Sequence, residues 1–120
     1  MPKHDPSLPT MIIFDLDDCL WQPEMHELYG MPTKPERGVL NSHMPKESHV
    51  EGVVGLSNQA GQTVTLYNGA RRVLYELATN PDYRDVIIAV ASTSLEPTYS
   101  HACLDGIEIL PGKTMRNLIQ

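Results

Sequence analysis

The sequence predicts an α/β fold built on a parallel sheet, and three observations carry that reading. Met11-Ile12-Ile13-Phe14 and Val86-Ile87-Ile88-Ala89-Val90-Ala91 are apolar at every position, the pattern of strands buried on both faces. Between them, Ala70, Val73, Leu74, Leu77 and Ala78 recur at the spacing of one helical face. Both apolar runs stop abruptly at polar groups, Asp15-Leu16-Asp17-Asp18 after the first and Ser92-Thr93-Ser94 after the second. Strand, crossover helix and strand in that order make a βαβ unit.

The elements follow in order. Residues 1–10 carry Pro2, Pro6 and Pro9 among polar neighbours and read as a disordered lead-in. The domain then covers 11–120, beginning with the Met11–Phe14 strand. From Gln22 to about Glu51, Pro23, Gly30, Pro32, Pro35, Gly38 and Pro45 break any periodicity. Such a stretch is expected to be functional loop or disorder rather than core. Val53-Val54-Gly55-Leu56 and Thr63-Val64-Thr65-Leu66-Tyr67 flank Asn58-Gln59-Ala60-Gly61, which predicts a hairpin. Loop and hairpin together form an insertion at about 22–67.

Asn68 is placed to cap the helix that follows, with Arg71, Arg72 and Glu76 on its polar face and Asn80-Pro81-Asp82 ending it. Residues 95–106 read as helix or loop. Ile107-Glu108-Ile109-Leu110 reads as a short third strand, and Pro111-Gly112-Lys113 opens the last segment.

Composition narrows the function. At 120 residues the chain suits one domain. Nine Lys+Arg against fifteen Asp+Glu give a net charge of −6, which disfavours binding to nucleic acid or anionic membrane. The longest apolar runs reach about six residues, against the roughly 20 of a membrane helix. The N-terminus has no apolar core like a signal peptide's. Cys19 and Cys103 do not make a disulfide framework, so a reducing, cytoplasmic setting is expected.

In an open parallel sheet, ligands bind beyond the carboxyl ends of the strands. That rule selects Asp15, Asp17, Asp18, Ser92, Thr93 and Ser94. Two close carboxylates repel unless a cation compensates, and Mg²⁺ takes such oxygens readily. One carboxylate can attack phosphorus, and the other can protonate the leaving group and later activate water. A Ser after the second strand can hold phosphoryl oxygens, and a later Lys can neutralise their charge.

Asp15-Leu16-Asp17-Asp18-Cys19-Leu20-Trp21 resembles the first motif of the haloacid dehalogenase (HAD) superfamily. With Leu66-Tyr67, Ala91-Ser92-Thr93-Ser94 and Ile109-Leu110-Pro111-Gly112-Lys113, the chain resembles its magnesium-dependent phosphatase family from about Met11 to Lys113. The resemblance implies a HAD-like Rossmannoid parallel sheet with helices on both faces, a β-hairpin flap and no full cap domain. It implies Mg²⁺-dependent hydrolysis of phosphomonoesters, either protein-tyrosine phosphate or sugar phosphates. Asp15 would be nucleophile and metal ligand. Asp17 would be the general acid/base, with its carbonyl on the metal. Ser92 and Thr93 would bind phosphate, and Lys113 would be the third-motif lysine.

Two departures stand out. No Asp or Glu follows Glu108, so the acidic fourth motif is missing and the domain is expected to be truncated at its C-terminus. Cys19 stands where the family usually has Thr. The competing expectation is therefore an impaired module that binds phosphate or a protein partner without turnover, with a partner chain completing the fold. A phosphotransferase is a weaker third.

Each residue also has a plainer reading. The aspartates could cap a loop after a strand, Ser92-Thr93-Ser94 could be turn residues, and Lys113 could be any surface lysine. Trp21 and Met25 read as loop packing, with Trp21 alternatively shielding the site or touching an aromatic substrate. His4, His26, His43, His49 and His101 are scattered without zinc spacing. Negative charge beside Cys19 disfavours a thiolate nucleophile.

Overall fold

A computed structural model describes residues 7–91 and 97–119. In chain order the elements are β1 (Met11–Asp15), β2 (Trp21–Gln22), β3 (Lys34–Val39), β4 (Glu51–Ser57), β5 (Thr63–Leu66), α1 (Asn68–Thr79), β6 (Ile87–Ala91), α2 (Pro97–Gly106), β7 (Glu108–Leu110), β8 (Lys113–Thr114) and α3 (Met115–Leu118).

The two apolar runs pair as the sequence predicts. β1 lies parallel to β6, from Met11 opposite Ile87 to Asp15 opposite Ala91, with α1 in the crossover. The sheet has these two strands among the described residues. Strand alternation sends Ile12, Phe14, Ile88 and Val90 to one face. There Phe14, Ile88 and Val90 meet Leu20, Leu74, Met115 and Leu118 from the first loop, α1 and α3. On the other face Met11, Ile13 and Ile87 are 47%, 62% and 40% exposed. Helices were expected on both faces; among the described residues they cover one. The reason is that α1 and α3 share the Phe14 side, while α2 packs on α3 and β4 instead.

The second sheet is antiparallel, in the order β2-β5-β4-β3. Its centre is the predicted hairpin, with Gly55 opposite Thr65, Leu56 opposite Val64 and Ser57 opposite Thr63. In the turn, Gly61 has φ +82°, a left-handed conformation that suits glycine, and its N–H donates to Asn58 O at 3.1 Å. Gly55 allows close packing of the two strands, since a Cβ there would stand 2.6 Å from Val64 O.

The stretch expected to be irregular contributes β3. It pairs with β4 over the register Lys34 to Val39, with a shift between Glu36 and Arg37. Propensity hid this strand because Lys34-Pro35-Glu36-Arg37 is polar and contains a proline. An edge strand tolerates both, since one of its sides needs no ladder partner.

α1 begins one residue earlier than its polar signal suggests. Tyr67 is the N-cap and makes no side-chain cap bond, and Asn68 is already helical. Two assignments to its faces are reversed. Arg71 is 8% exposed, whereas Val73 is 46% exposed. Arg71 is drawn inward because its guanidinium donates to Glu108 O at 2.8 Å and Val54 O at 3.2 Å.

The expected third strand forms as β7 but pairs antiparallel with β8, apart from the β1–β6 pair. Gly112 turns between them at φ +78°. The core joins the first loop to everything else: Leu16, Leu20, Trp21 and Met25 pack with Leu56, Val64, Leu74, Ile107, Ile109 and Met115.

Candidate active site

β1 delivers Asp15 to the carboxyl end of the parallel pair, level with Ala91. The side chain is exposed and has no hydrogen bond or ion pair among the described residues. Ser92 and Thr93 come directly after Ala91 in sequence and lie outside the described residues, as does Ser94.

Beyond Asp15 the chain closes a tight turn. The N–H groups of Cys19, Leu20 and Trp21 all point to Leu16 O, at 3.3, 2.9 and 3.4 Å. Asp18 completes the turn at φ +56°, a conformation in which Asp is among the more tolerant residues, and its N–H donates to Trp21 O at 3.0 Å. Leu16 and Leu20 are buried anchors, and Asp18 and Cys19 between them are exposed.

Asp17 is half-buried and held on both oxygens. Oδ1 accepts from Trp21 Nε1 at 2.9 Å, and Oδ2 accepts from the Met25 N–H at 2.9 Å. A carboxylate has about four acceptor positions, so each oxygen keeps a free lone pair. Trp21 has no exposed surface. That corrects the idea that it touches substrate: the indole packs in the core and orients Asp17.

Asp18 accepts from the Tyr67 hydroxyl at 2.8 Å. This bond to a carboxylate raises the Tyr67 pKa above its ordinary value. Asp18 thereby ties the first loop to the end of the hairpin, a role for Tyr67 that the sequence did not indicate.

Lys113 is half-buried in β8, opposite Leu110. Its ammonium makes no ion pair among the described residues. The turn before it is fixed by Glu108, whose carboxylate accepts from the Val53 N–H at 2.8 Å and the Gly112 N–H at 2.7 Å. Glu108 thus moors the β7–β8 hairpin to β4. A lone acidic residue between Ile107 and Ile109 is the sequence signal that could have found it.

Neither thiol is set up as a nucleophile. Cys19 is exposed beside the acids. Burial, and secondarily the charge of Asp17, push the Cys103 pKa up to about 12. Such a group stays protonated and inert at neutral pH.

The free Asp15 carboxylate and the Asp17 carbonyl, to which no described backbone N–H donates, are hard oxygens. Mg²⁺ characteristically takes one or two protein oxygens, keeps waters and adds substrate phosphate, so these donors suit it. No group of three or more His, Cys, Asp or Glu able to hold a metal occurs among the described residues.

An exposed carboxylate at a parallel-strand end, with a second carboxylate clamped two residues on, can serve phosphoryl chemistry. The family comparison agrees. The Acid Phosphatase family model matches residues 7–120. The chain belongs to the acid phosphatase family. The match covers nearly the whole chain, so it includes the first loop, the antiparallel sheet and the β7–β8 hairpin alike. No curated protein and no solved structure matches the chain. Among the described residues, no helix is long and apolar enough to cross a membrane.

Proposed function

We propose that this member of the acid phosphatase family hydrolyses phosphomonoesters through a phospho-aspartate on Asp15, with Mg²⁺ as cofactor. The observation that carries the reading is the exposed Asp15 carboxylate at the end of β1, without a partner among the described residues, beside a clamped Asp17.

In the first step an Asp15 oxygen attacks phosphorus and the bond to the ester oxygen breaks. Protonated Asp17 gives its proton to the leaving oxygen. In the second step water attacks the phospho-aspartate, and Asp17 takes the proton. Phosphate leaves and both carboxyl groups return to their starting forms. The Trp21 and Met25 donors keep the Asp17 carboxyl group turned the same way through both steps. Ser92 and Thr93 hold phosphoryl oxygens, and Lys113 balances their charge. Mg²⁺, held by the Asp15 carboxylate and the Asp17 carbonyl, would supply shielding of the phosphate's negative charge.

Exposure of Asp15 supports an open site, which suits phosphotyrosine on a protein as well as sugar phosphates. A cytoplasmic location fits the free thiols.

The test is phosphate release from an aryl phosphate, with Mg²⁺ and with chelator, beside Asp15→Asn. Metal-dependent release that drops at least about a thousandfold in the variant is expected, as for loss of a nucleophile. Undiminished release by Asp15→Asn would sink the mechanism. A folded wild-type chain with no release in either condition would favour a phosphate-binding module that does not turn over.

A further inference from the structure

The cavity beside the start of α1 belongs to none of the chemistry above. It holds about 330 Å³ and is lined by Ser42, His43, Asn68, Gly69, Arg71 and Arg72. That volume lies at the small end of ligand pockets, which run from about 300 to 1,000 Å³. The lining carries two guanidinium groups and an imidazole, and no acid.

Arg71 is the most informative of these residues. It is 8% exposed, and the two partners of its guanidinium are neutral carbonyls, Glu108 O and Val54 O. No carboxylate lies within ion-pair distance among the described residues. Burial without a counter-charge pushes its pKa down to about 10. Buried charges are ordinarily paired, and an unpaired one is costly. Two of its five N–H donors are engaged, which leaves three.

Arg72 adds a second cation with no ion pair among the described residues. Glu76 is one helical turn away but accepts from Asn80 Nδ2 at 2.9 Å instead. The opposite wall is held in place. Asn41 is fully buried, donates to Ser48 O and Tyr75 Oη, and accepts from the Val50 N–H. The His43 ring stands edge-on to Tyr75, with centroids 5.2 Å apart. These contacts fix Ser42 and His43 against α1 before any ligand arrives. The first turn of α1 adds N–H groups that no side chain caps.

We propose that this cavity binds the phosphate group of a small molecule, using Arg71, Arg72 and His43 as its donors. The site is separate from the catalytic aspartates and does not depend on the mechanism assigned to them.

The experiment is a titration of the full chain with inorganic phosphate, in chelator, followed by nuclear magnetic resonance. The signals are the backbone amides of Gly69 and Ala70 and the Arg72 Nε–H. Potassium chloride at matched ionic strength is the control. Arg72→Ala is the main variant because Arg72 is exposed and holds no core contact, whereas Arg71 supports two carbonyls. Expected are saturable shifts at all three groups, absent with chloride. Affinity should fall about tenfold in Arg72→Ala, the usual worth of one charged hydrogen bond, and stay unchanged in Asp15→Asn. Shifts that do not saturate, that chloride reproduces, or that survive Arg72→Ala at full affinity would overturn the site. Shifts lost in Asp15→Asn would place the phosphate at the catalytic centre and equally overturn it.

Discussion

The parallel pair β1–β6 and the antiparallel sheet β2-β5-β4-β3 differ in how they are supported. The parallel pair is covered on its Phe14 face and open on its Ile13 face, where Ile13 is 62% exposed. The antiparallel sheet contributes Trp21, Leu56 and Val64 to the centre of the core, each nearly or wholly buried. The nucleophile candidate stands on the thinly covered pair, while its partner Asp17 is held by Trp21 and Met25 on the densely packed side. Reactivity and rigidity are thus divided across one short loop. In the proposed mechanism the attacking carboxylate has no partner among the described residues, and the one that must keep its aim is clamped.

The largest expected effect sharpens that division. Asp17→Asn removes the proposed proton donor and should slow hydrolysis of alkyl phosphates by about 10²- to 10⁴-fold, the usual worth of general acid–base catalysis. Aryl phosphates, with better leaving groups, should suffer less. Equal losses for the two substrates would mean that Asp17 has a positioning role alone. Next comes packing. Trp21→Ala should cost about 3–5 kcal/mol of stability in urea unfolding, as for other large buried side chains. Ile13→Ala, on the open face, should cost only about 0.5 kcal/mol. If the two costs match, the contrast between the sheets is broken.

A smaller loss is expected from Gly55→Ala, whose Cβ would meet Val64 O at 2.6 Å and Thr65 Cγ2 at 2.9 Å. About 1–3 kcal/mol of strain should appear as a lower urea midpoint. The smallest effect depends on pH. The Cys103 pKa is raised from 9.0 to about 12 in the folded chain. Its unfolded thiol therefore releases a proton first as pH rises. The stability tied to the protonated thiol is full below about pH 9 and is lost progressively up to about pH 12. Wild type should lose more stability than Cys103→Ala between pH 8 and 11; parallel losses would remove Cys103 as the cause.

The βαβ unit, the hairpin turn and α1 were legible because each follows from local pattern: unbroken apolar runs, turn residues with Gly61, and a helical repeat. β3 was not, since pairing with β4 rather than its own propensity makes Lys34–Val39 a strand. Arg71 looked like a surface residue because helical spacing reports faces, not the distant carbonyls of Val54 and Glu108 that draw its guanidinium inward. At the site, Asp15 and Asp17 were legible from their place after an apolar run. The roles of Trp21 and Tyr67 were not, because both depend on hydrogen bonds set by tertiary contacts.

The register of β1 on β6 has a consequence for timing. Met11 must find Ile87 and Asp15 must find Ala91 across most of the chain. The β4–β5 hairpin, by contrast, closes over a few residues. Closing a long loop carries the larger entropy cost, and contacts distant in sequence form slowly. During refolding the hairpin should gain its structure early and the strand that carries Asp15 should dock late. Catalytic competence then becomes a signal that the final long-range docking has taken place.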